Sequence, residues 1–250
     1  MSDIELNTLC TEVLNYINVI RTNPGWAVIE LQRLRKFYKN KEYCNPAHLF
    51  HLLTEEGTFA LDEAIEFIQT KIKPLSPLSS SDGLCKSAKK LVQHLNASRS
   101  TRPVSKELDL ETRIKAEIKE PGTIAENISF GWDDPKEIVL QLLIDDGVKN
   151  RCHRTNLLGS QFDQIGVAIG AHSEYKWCCV IDMYAKKDES DANFEKYKMD
   201  NENWPEDAIS LEKKIEIKTE GNLRRIKLCY VFDFEGGLQV NRVKEFLEDV

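Results

Sequence analysis

The chain has 250 residues and a formal net charge of −7 at pH 7, with 41% apolar and 30% charged residues. This length and composition indicate one large globular domain, or one domain with an extension. The acidic balance argues against a general nucleic-acid binder, which needs a cationic surface to neutralise phosphates. No apolar run approaches the roughly 18 residues that a membrane-spanning helix requires, so we expect no transmembrane segment.

The first five residues have neither a basic n-region nor an apolar h-region, so they predict no signal peptide. Seven cysteines are irregularly spaced and none forms a CxxC pair, which argues against a zinc-thiolate site. We therefore expect free, mostly buried thiols and a cytoplasmic protein. Cys178 and Cys179 lie in one predicted strand and should point to opposite faces of its sheet.

The N-terminal half of the chain has the three- and four-residue apolar spacing of amphipathic helices. A long first helix is predicted over residues 4–36, broken or kinked at Asn23-Pro24-Gly25. Further helices are predicted at 46–54, 58–72 and 83–94. Residues 96–122 are poor in apolar side chains and predict a long loop, with a helix in 108–118.

The next segment brings polar and apolar elements close together in sequence. Ala125-Glu126-Asn127-Ile128 precedes an amphipathic run at 135–146, and the basic turn Arg151-Cys152-His153-Arg154 follows that run. Two apolar runs, 165–169 and 177–184, predict a β-hairpin joined near residues 170–173. A carboxylate, a helix, an imidazole and a hairpin thus fall within about sixty residues, and we expect a site here.

The C-terminal part alternates between polar and patterned segments. Residues 186–207 are polar and predict a loop. Residues 213–218 and 223–234 alternate apolar with charged side chains around the turn signal Thr219-Glu220-Gly221-Asn222, which predicts an antiparallel hairpin. A short amphipathic helix is predicted at 240–247.

Three motifs, in order along the chain, resemble the CAP superfamily, also called the SCP/TAPS or cysteine-rich secretory protein domain. The family's "GENI" element corresponds to Ala125-Glu126-Asn127-Ile128, and its "GHR-x-N-I/L" element to Cys152-His153-Arg154-Thr155-Asn156-Leu157. Its "F-x-x-I-G-V" strand entry matches Phe162-Asp163-Gln164-Ile165-Gly166-Val167. Residues 14–24, which end in Arg21-Thr22-Asn23-Pro24, are similar to the family's first helix. The resemblance covers roughly residues 8–187 and is nearest to the bacterial and protist branch.

The resemblance implies an α+β fold. It is an α-β-α sandwich around a central, mostly antiparallel sheet, to which we add a C-terminal β-hairpin extension. The predicted domains are a CAP/SCP-like domain at 1–187, a polar linker at 188–210, and a hairpin with a short helix at 211–250.

The resemblance also implies a cleft in which two histidines and two acidic residues hold a divalent metal. Carried over to this chain, one acid is Glu126 and one histidine is His153. The second acid falls at Asp145, with Asp146 as the alternative. Glu126, Asp145 and His153 would supply the three protein ligands that a catalytic zinc needs.

The family's other cavity histidine has no counterpart here. Counting back from Arg113-Ile114 places Arg102 at its position. A guanidinium does not deprotonate and repels a cation, but it pairs well with a carboxylate. We therefore expect Arg102 beside Glu126 or Asp145, Glu126 facing His153, and no bound metal or other cofactor, with zinc as the alternative.

His48 and His51 are three residues apart and could share a helix face. The sequence offers no third ligand at a spacing suited to that helix. We therefore expect a surface pair and not a metal site.

Two functional hypotheses follow from the resemblance. The favoured one is a non-enzymatic protein that binds a lipid- or sterol-like ligand, or a protein partner, at a degenerate cavity. The alternative is a metal-dependent, protease-like hydrolase that uses Glu126, Asp145 and His153. Neither Cys152 nor another nearby residue is supported as a nucleophile. Because the family is usually extracellular, that compartment is the alternative to the cytoplasm.

Overall fold

The computed structural model describes residues 2–46, 51–103, 105–120 and 122–186, together with the backbone of 210–220, 223–233 and 239–249. The chain divides into two compact units, Met1–Lys186 and Lys187–Val250. Within the described residues, no helix is both long and apolar enough to cross a membrane.

The first unit contains the helices that the apolar spacing predicts. The described helices are α1 (Asp3–Thr22), α2 (Pro24–Arg35), α3 (Thr58–Lys71), α4 (Asp82–Ser98), α5 (Leu110–Glu117), α6 (Pro135–Ile144) and α7 (Cys152–Leu157). Ser2 and Glu5 form a capping box that satisfies the first backbone N–H groups of α1. The predicted break is confirmed, because Pro24 fits only the first turn of a new helix.

A four-stranded sheet forms the centre of this unit. Its strands, in the order β4-β6-β7-β5, are β4 (Ser79–Ser80), β6 (Gln164–His172), β7 (Lys176–Lys186) and β5 (Gly122–Phe130). Strand β7 is antiparallel to both β6 and β5, and the short β4 is parallel to β6. The predicted hairpin is therefore confirmed, and its turn lies between His172 and Lys176.

Helices cover both faces of this sheet. Side chains of one face join a core that also contains residues of α1, α2, α3 and α6; they are Val167, Ile169, Cys179, Ile181 and Met183. Side chains of the other face pack with α4; they are Ala168, Cys178 and Val180. Alternate residues of a strand point to opposite faces, so Cys178 and Cys179 lie in different layers as predicted. The α-β-α sandwich is thus confirmed.

A second, small sheet corrects one predicted element. Its strands, in the order β1-β2-β3, are β1 (Tyr38–Lys39), β2 (Glu42–Tyr43) and β3 (Leu52–Leu53). The predicted helix at 46–54 is wrong at its C-terminal end, because Leu52 pairs with Tyr43 in an antiparallel ladder. Residues 47–50 lie outside the described residues.

The second unit is an antiparallel sheet in the order β10-β9-β8, built from β8 (Ser210–Glu220), β9 (Leu223–Asp233) and β10 (Gln239–Asp249). The predicted hairpin is confirmed, with Ile217 opposite Ile226. The helix predicted at 240–247 is wrong: this segment is a strand that pairs with β9 along its whole length. Pairing between strands has overridden the helical spacing of the apolar residues. The predicted linker at 188–210 lies outside the described residues up to 209.

Candidate functional site

Two acidic side chains lie next to each other on the central sheet. Glu126 on β5 is directly opposite Asp182 on β7, so both side chains project from the same face. Helices α4 and α5 supply their partners on that face. Asp182 is completely buried, and 15% of the Glu126 side chain is exposed. Two carboxyl groups in such a place need a compensating charge.

Arg113 of α5 supplies that charge. Its buried guanidinium donates from Nη2 to Glu126 Oε2 and from Nη1 to Asp182 Oδ2 at 3.0 Å. Ser87 of α4 completes the cluster: its hydroxyl donates to Asp182 Oδ2 at 2.6 Å and accepts from Arg113 Nη1 at 3.0 Å. Arg113 Nε donates to the carbonyl of Leu108 at 2.9 Å. One arginine therefore holds two strands and two helices together.

The sequence analysis assigned this role to the wrong arginine. Arg102 is exposed, and its backbone N–H bonds the Ser100 hydroxyl at 3.2 Å. Within the described residues, neither Glu126 nor Asp145 has Arg102 as an ion-pair partner; the guanidinium beside Glu126 belongs to Arg113. A guanidinium does lie beside Glu126, as predicted, but it belongs to Arg113 of α5 and not to Arg102.

The burial of this pair changes its protonation. The pKa of Glu126 is raised to about 7: loss of solvent is the main cause, Arg113 opposes it, and the charge of Asp182 adds to it. The pKa of Asp182 is also raised, mainly by burial. Asp182 Oδ1 is buried and has no donor within the described residues. Protonation of one carboxyl group lets it donate to the other, and a singly protonated pair carries one negative charge opposite one guanidinium.

A second polar cluster lies on α6 and α7. Asp145 ends α6 in a left-handed conformation, with φ of 58°, and its carboxylate is fully buried. Its Oδ1 lies 2.7 Å from His153 Nδ1, and its Oδ2 accepts the backbone N–H of Arg154 at 3.1 Å. An ionised carboxylate only accepts, so His153 Nδ1 is the donor in this bond. The His153 side chain is 26% exposed.

The Glu126 and His153 clusters are connected by asparagine side chains and a backbone carbonyl, and not by a contact between Glu126 and His153. Glu126 and Asn127 are neighbours on β5 and point to opposite faces. Asn127 donates to the carbonyl of His153 at 3.0 Å, and Asn156 donates to Asn127 Oδ1 at 2.9 Å. Within the described residues, no hydrogen bond or ion pair joins Glu126 to His153. The predicted pair is thus not in direct contact, whereas Asp145 and His153 are.

Asp146, the alternative acid, serves a different purpose. Its carboxylate accepts the backbone N–H groups of Glu55 and Glu56 at 2.7 and 2.9 Å. These donors precede α3, so Asp146 positions that helix.

The arginines of the recognised motifs are structural. Arg154 is buried and donates to the carbonyls of Leu143 and Ile144 at 2.7 and 2.9 Å, which satisfies the C-terminal end of α6. Arg21 is 1% exposed and donates to the carbonyls of Leu157 and Gly159 at 2.9 and 2.8 Å. These residues hold the site's elements in place and do not face a ligand.

Sequence reasoning missed Arg113, Asp182 and Ser87. Asp182 carried a usable signal, because it is the one acidic residue within the apolar run at 177–184, and a buried carboxylate is almost always paired. Ser87 and Arg113 carried none, because their helices bring them to Asp182 only through tertiary packing.

The donors present do not fit the metal site that the resemblance implies. Glu126 is engaged by a buried guanidinium, which repels a cation. Both carboxylate oxygens of Asp145 already form hydrogen bonds, one with the His153 ring and one with the backbone N–H of Arg154. Among the described residues, His153 Nε2 has no hydrogen-bond partner, and a single nitrogen does not hold a metal.

Comparison with known proteins identifies the family of this chain. A family model described as the cysteine-rich secretory protein family, CAP, matches residues 14–181. Among solved structures, an outer surface protein of Borrelia burgdorferi is similar at 19% identity and a TM-score of 0.40, over 50% of this chain and 89% of that chain. An extracellular protein of Bacillus anthracis that contains an SCP domain is similar at 20% identity and a TM-score of 0.37, over 49% of this chain and 37% of that chain. No curated protein matches. Since the family model covers more than half of the sequence, the chain belongs to the cysteine-rich secretory protein (CAP) family.

Proposed function

We propose that this CAP domain is a non-enzymatic module that binds an apolar ligand with an acidic head group. The observation that carries the proposal is the buried Arg113, which engages the carboxylate that a metal would need. Without a metal, hydrolysis would require an activated nucleophile. Cys152 beside His153 does not supply one, because burial and the charge of Asp145 raise the pKa of its thiol.

A groove next to the Arg113 cluster suits such a ligand. It lies between α5 and the outer strand β5 and has a volume of about 290 Å³, near the lower end for small-molecule sites. Its apolar lining consists of Ile114, Ile118, Ile124 and Tyr184. Its charged lining consists of Glu111, Lys115, Lys119 and Glu120, and Lys115 pairs with Glu111, so Lys119 is the cation we assign to the head group. Ile124 and Glu126 share a face of β5, and Ile114 follows Arg113 on α5, so the groove lies beside the Arg113 cluster.

The test is binding of a fluorescent fatty acid to the purified full chain, with competition by oleate and, separately, by cholesterol. Ile118→Gln should weaken binding because it places an amide in the apolar lining. Ile29→Gln is the matched control, since Ile29 is 51% exposed on α2 and outside the groove. Lys119→Gln should weaken oleate binding more than cholesterol binding, because only oleate carries the acidic group.

Three results would contradict this proposed function. Equal binding by the Ile118→Gln and Ile29→Gln variants would remove the groove as the site. Zinc-dependent peptidase activity that is lost in both Glu126→Gln and His153→Ala would establish the hydrolase instead. Capture of a protein partner that the Ile118→Gln variant no longer binds would replace the small ligand by a polypeptide.

A further inference from the structure

Three side chains of different metal-binding chemistry meet on the small sheet, away from the cavity. They are Glu42 on β2, Cys44 just after it, and His51 just before β3. One ligand atom from each, a carboxylate oxygen, a thiol sulfur and a ring nitrogen, lies within 4.8 Å of the other two. Glu42 and His51 are exposed, and Cys44 is half-buried.

The pairing of β2 with β3 explains why these side chains converge. Glu42 is opposite Leu53, and Tyr43 is opposite Leu52. One further step of the same register places Cys44 opposite His51. Residues 42 and 44 share a face of the strand, and opposed residues share a face of the ladder. The three ligands thus project from one surface.

The opposite face of the same ladder anchors this surface. Tyr43, which lies between two of the ligands, is only 1% exposed and packs in the main core. The Cys44 backbone N–H bonds the Phe37 carbonyl at 2.8 Å, and the Thr54 N–H bonds the Lys41 carbonyl at 2.7 Å. Backbone hydrogen bonds therefore hold the two strands beside the ligands, and Glu42 and His51 are exposed to solvent.

We propose that Glu42, Cys44 and His51 form a binding site for a zinc-like divalent transition metal. A thiolate with an imidazole and a carboxylate suits zinc, whereas magnesium and calcium take oxygen ligands only. Donors around a tetrahedral zinc are about 3.3–3.8 Å apart, as metal–ligand bonds of about 2.0–2.3 Å require. The three side chains reach that geometry with movements of about 1 Å. Three protein ligands leave a fourth position open to water or an external ligand.

This site corrects the expectation for His51. The sequence analysis paired it with His48 on one helix face and found no third ligand. The strand pairing instead places it beside Cys44 and Glu42, which a helical spacing does not reveal. The site is also separate from the cavity that the family resemblance implies, because it shares no residue with Glu126, Asp145 or His153.

The test is titration of the reduced full chain with cobalt(II) alone, followed by displacement with zinc. Binding should produce the thiolate-to-cobalt charge-transfer band with one ion per chain. Cys44→Ser should abolish that band, and His51→Ala or Glu42→Gln should weaken binding by about tenfold or more. Cys85→Ser is the matched control, since Cys85 is also a half-buried free thiol but lies on α4.

Other outcomes would overturn the proposal. They are the absence of a charge-transfer band in the wild-type chain, a band that persists in Cys44→Ser, and a band lost in Cys85→Ser. Loss of the band in His153→Ala would assign the metal to the cavity instead. Circular dichroism of each variant establishes that it is folded, and the exposed position of His51 makes His51→Ala the variant least able to disturb the fold.

Lys39 provides an independent check. It is opposite Glu42 on β1 and projects from the same face as the three ligands. Its ammonium competes with a cation for the carboxylate. Lys39→Gln should therefore strengthen cobalt binding, whereas a site that does not involve Glu42 would leave the affinity unchanged.

Discussion

Arg113 is the residue on which the buried acidic pair depends. Its guanidinium is the cation that pairs with both Glu126 and Asp182. Removing one partner of a buried ion cluster leaves charges without compensation. The cluster therefore acts as one unit whose members cannot be replaced singly.

Arg113→Met should lower the free energy of unfolding by about 3–5 kcal/mol, because it leaves the two carboxyl groups buried without a cation. Urea unfolding at neutral pH measures the loss. Lys115→Ala is the matched control on the same helix: its pair with Glu111 is exposed on both sides, and such pairs contribute little. Similar losses in the two variants would show that Arg113 is not the compensating charge.

Glu126 should make stability depend on pH. Its pKa rises from an ordinary 4.5 to about 7 in the folded state. Between these values the folded chain holds a proton that the unfolded chain has released, so the free energy of unfolding falls as pH rises through this window. Glu126→Gln removes the titrating group and should flatten the profile between pH 4.5 and 7. Superimposable profiles of variant and wild type would contradict the assignment.

The candidate site was only partly predictable at this scale. The family resemblance assigned Asp145 and His153 to one cleft, and the structure joins them directly, with Asp145 Oδ1 2.7 Å from His153 Nδ1. Arg102 was placed wrongly, because it was found by counting through the irregular segment at 96–122, where spacing does not fix position. Asp182 pairs with Glu126 only through the register of β5 on β7, which no local pattern reveals.

At the scale of elements, helix α4 lies directly on strand β6. A Cβ atom built on Gly166 would come within 2.1 Å of the Leu84 backbone carbon and 2.3 Å of the Cys85 nitrogen. Neither backbone atom can move without shifting the helix. The glycine therefore sets the distance between two layers of the sandwich.

Gly166→Ala should destabilise the fold by about 1–3 kcal/mol or more, as overpacking of a dense interior does. Thermal unfolding of the variant measures the effect. Gly25→Ala is the control: its added Cβ has 3.5 Å to the nearest atom and lies near the start of α2, so stability should stay equal or rise slightly. A stable Gly166→Ala variant would mean that α4 can move away from β6 at little cost.

Helices were predictable and strands less so. The apolar spacing located α1 to α4 and α6, because their apolar side chains pack against the core. Strand β5 was not predicted, since Ala125-Glu126-Asn127-Ile128 lacks the apolar alternation of a strand. Strand β10 was mistaken for a helix, because Val240, Val243 and Leu247 have helical spacing and only the partner strand decides otherwise.

At the scale of the whole molecule, the two compact units differ in construction. The first has a helix-covered sheet and a continuous core, and the described part of the second is a single three-stranded sheet. Every residue of the central cluster that the structure describes lies within the first unit.

A chain that ends at Lys186 should therefore fold and unfold cooperatively. The truncated chain should keep a near-ultraviolet circular dichroism signal, since its aromatic side chains remain packed around the sheet. Chemical denaturation with two probes tests cooperativity. Loss of structure in the truncated chain would show that the first unit needs residues 187–250.

The bonds of Arg21 have a consequence for how the protein is made. This side chain, on α1, finds acceptors at Leu157 and Gly159, 136 and 138 residues later in the chain. Contacts so distant in sequence form slowly, and segments synthesised earlier pack only when their partners have emerged. Arg21 therefore cannot complete these bonds until residues 157–159 have been translated. Until then apolar side chains of α1 are exposed on the nascent chain, and such exposed surface is what chaperones bind during synthesis.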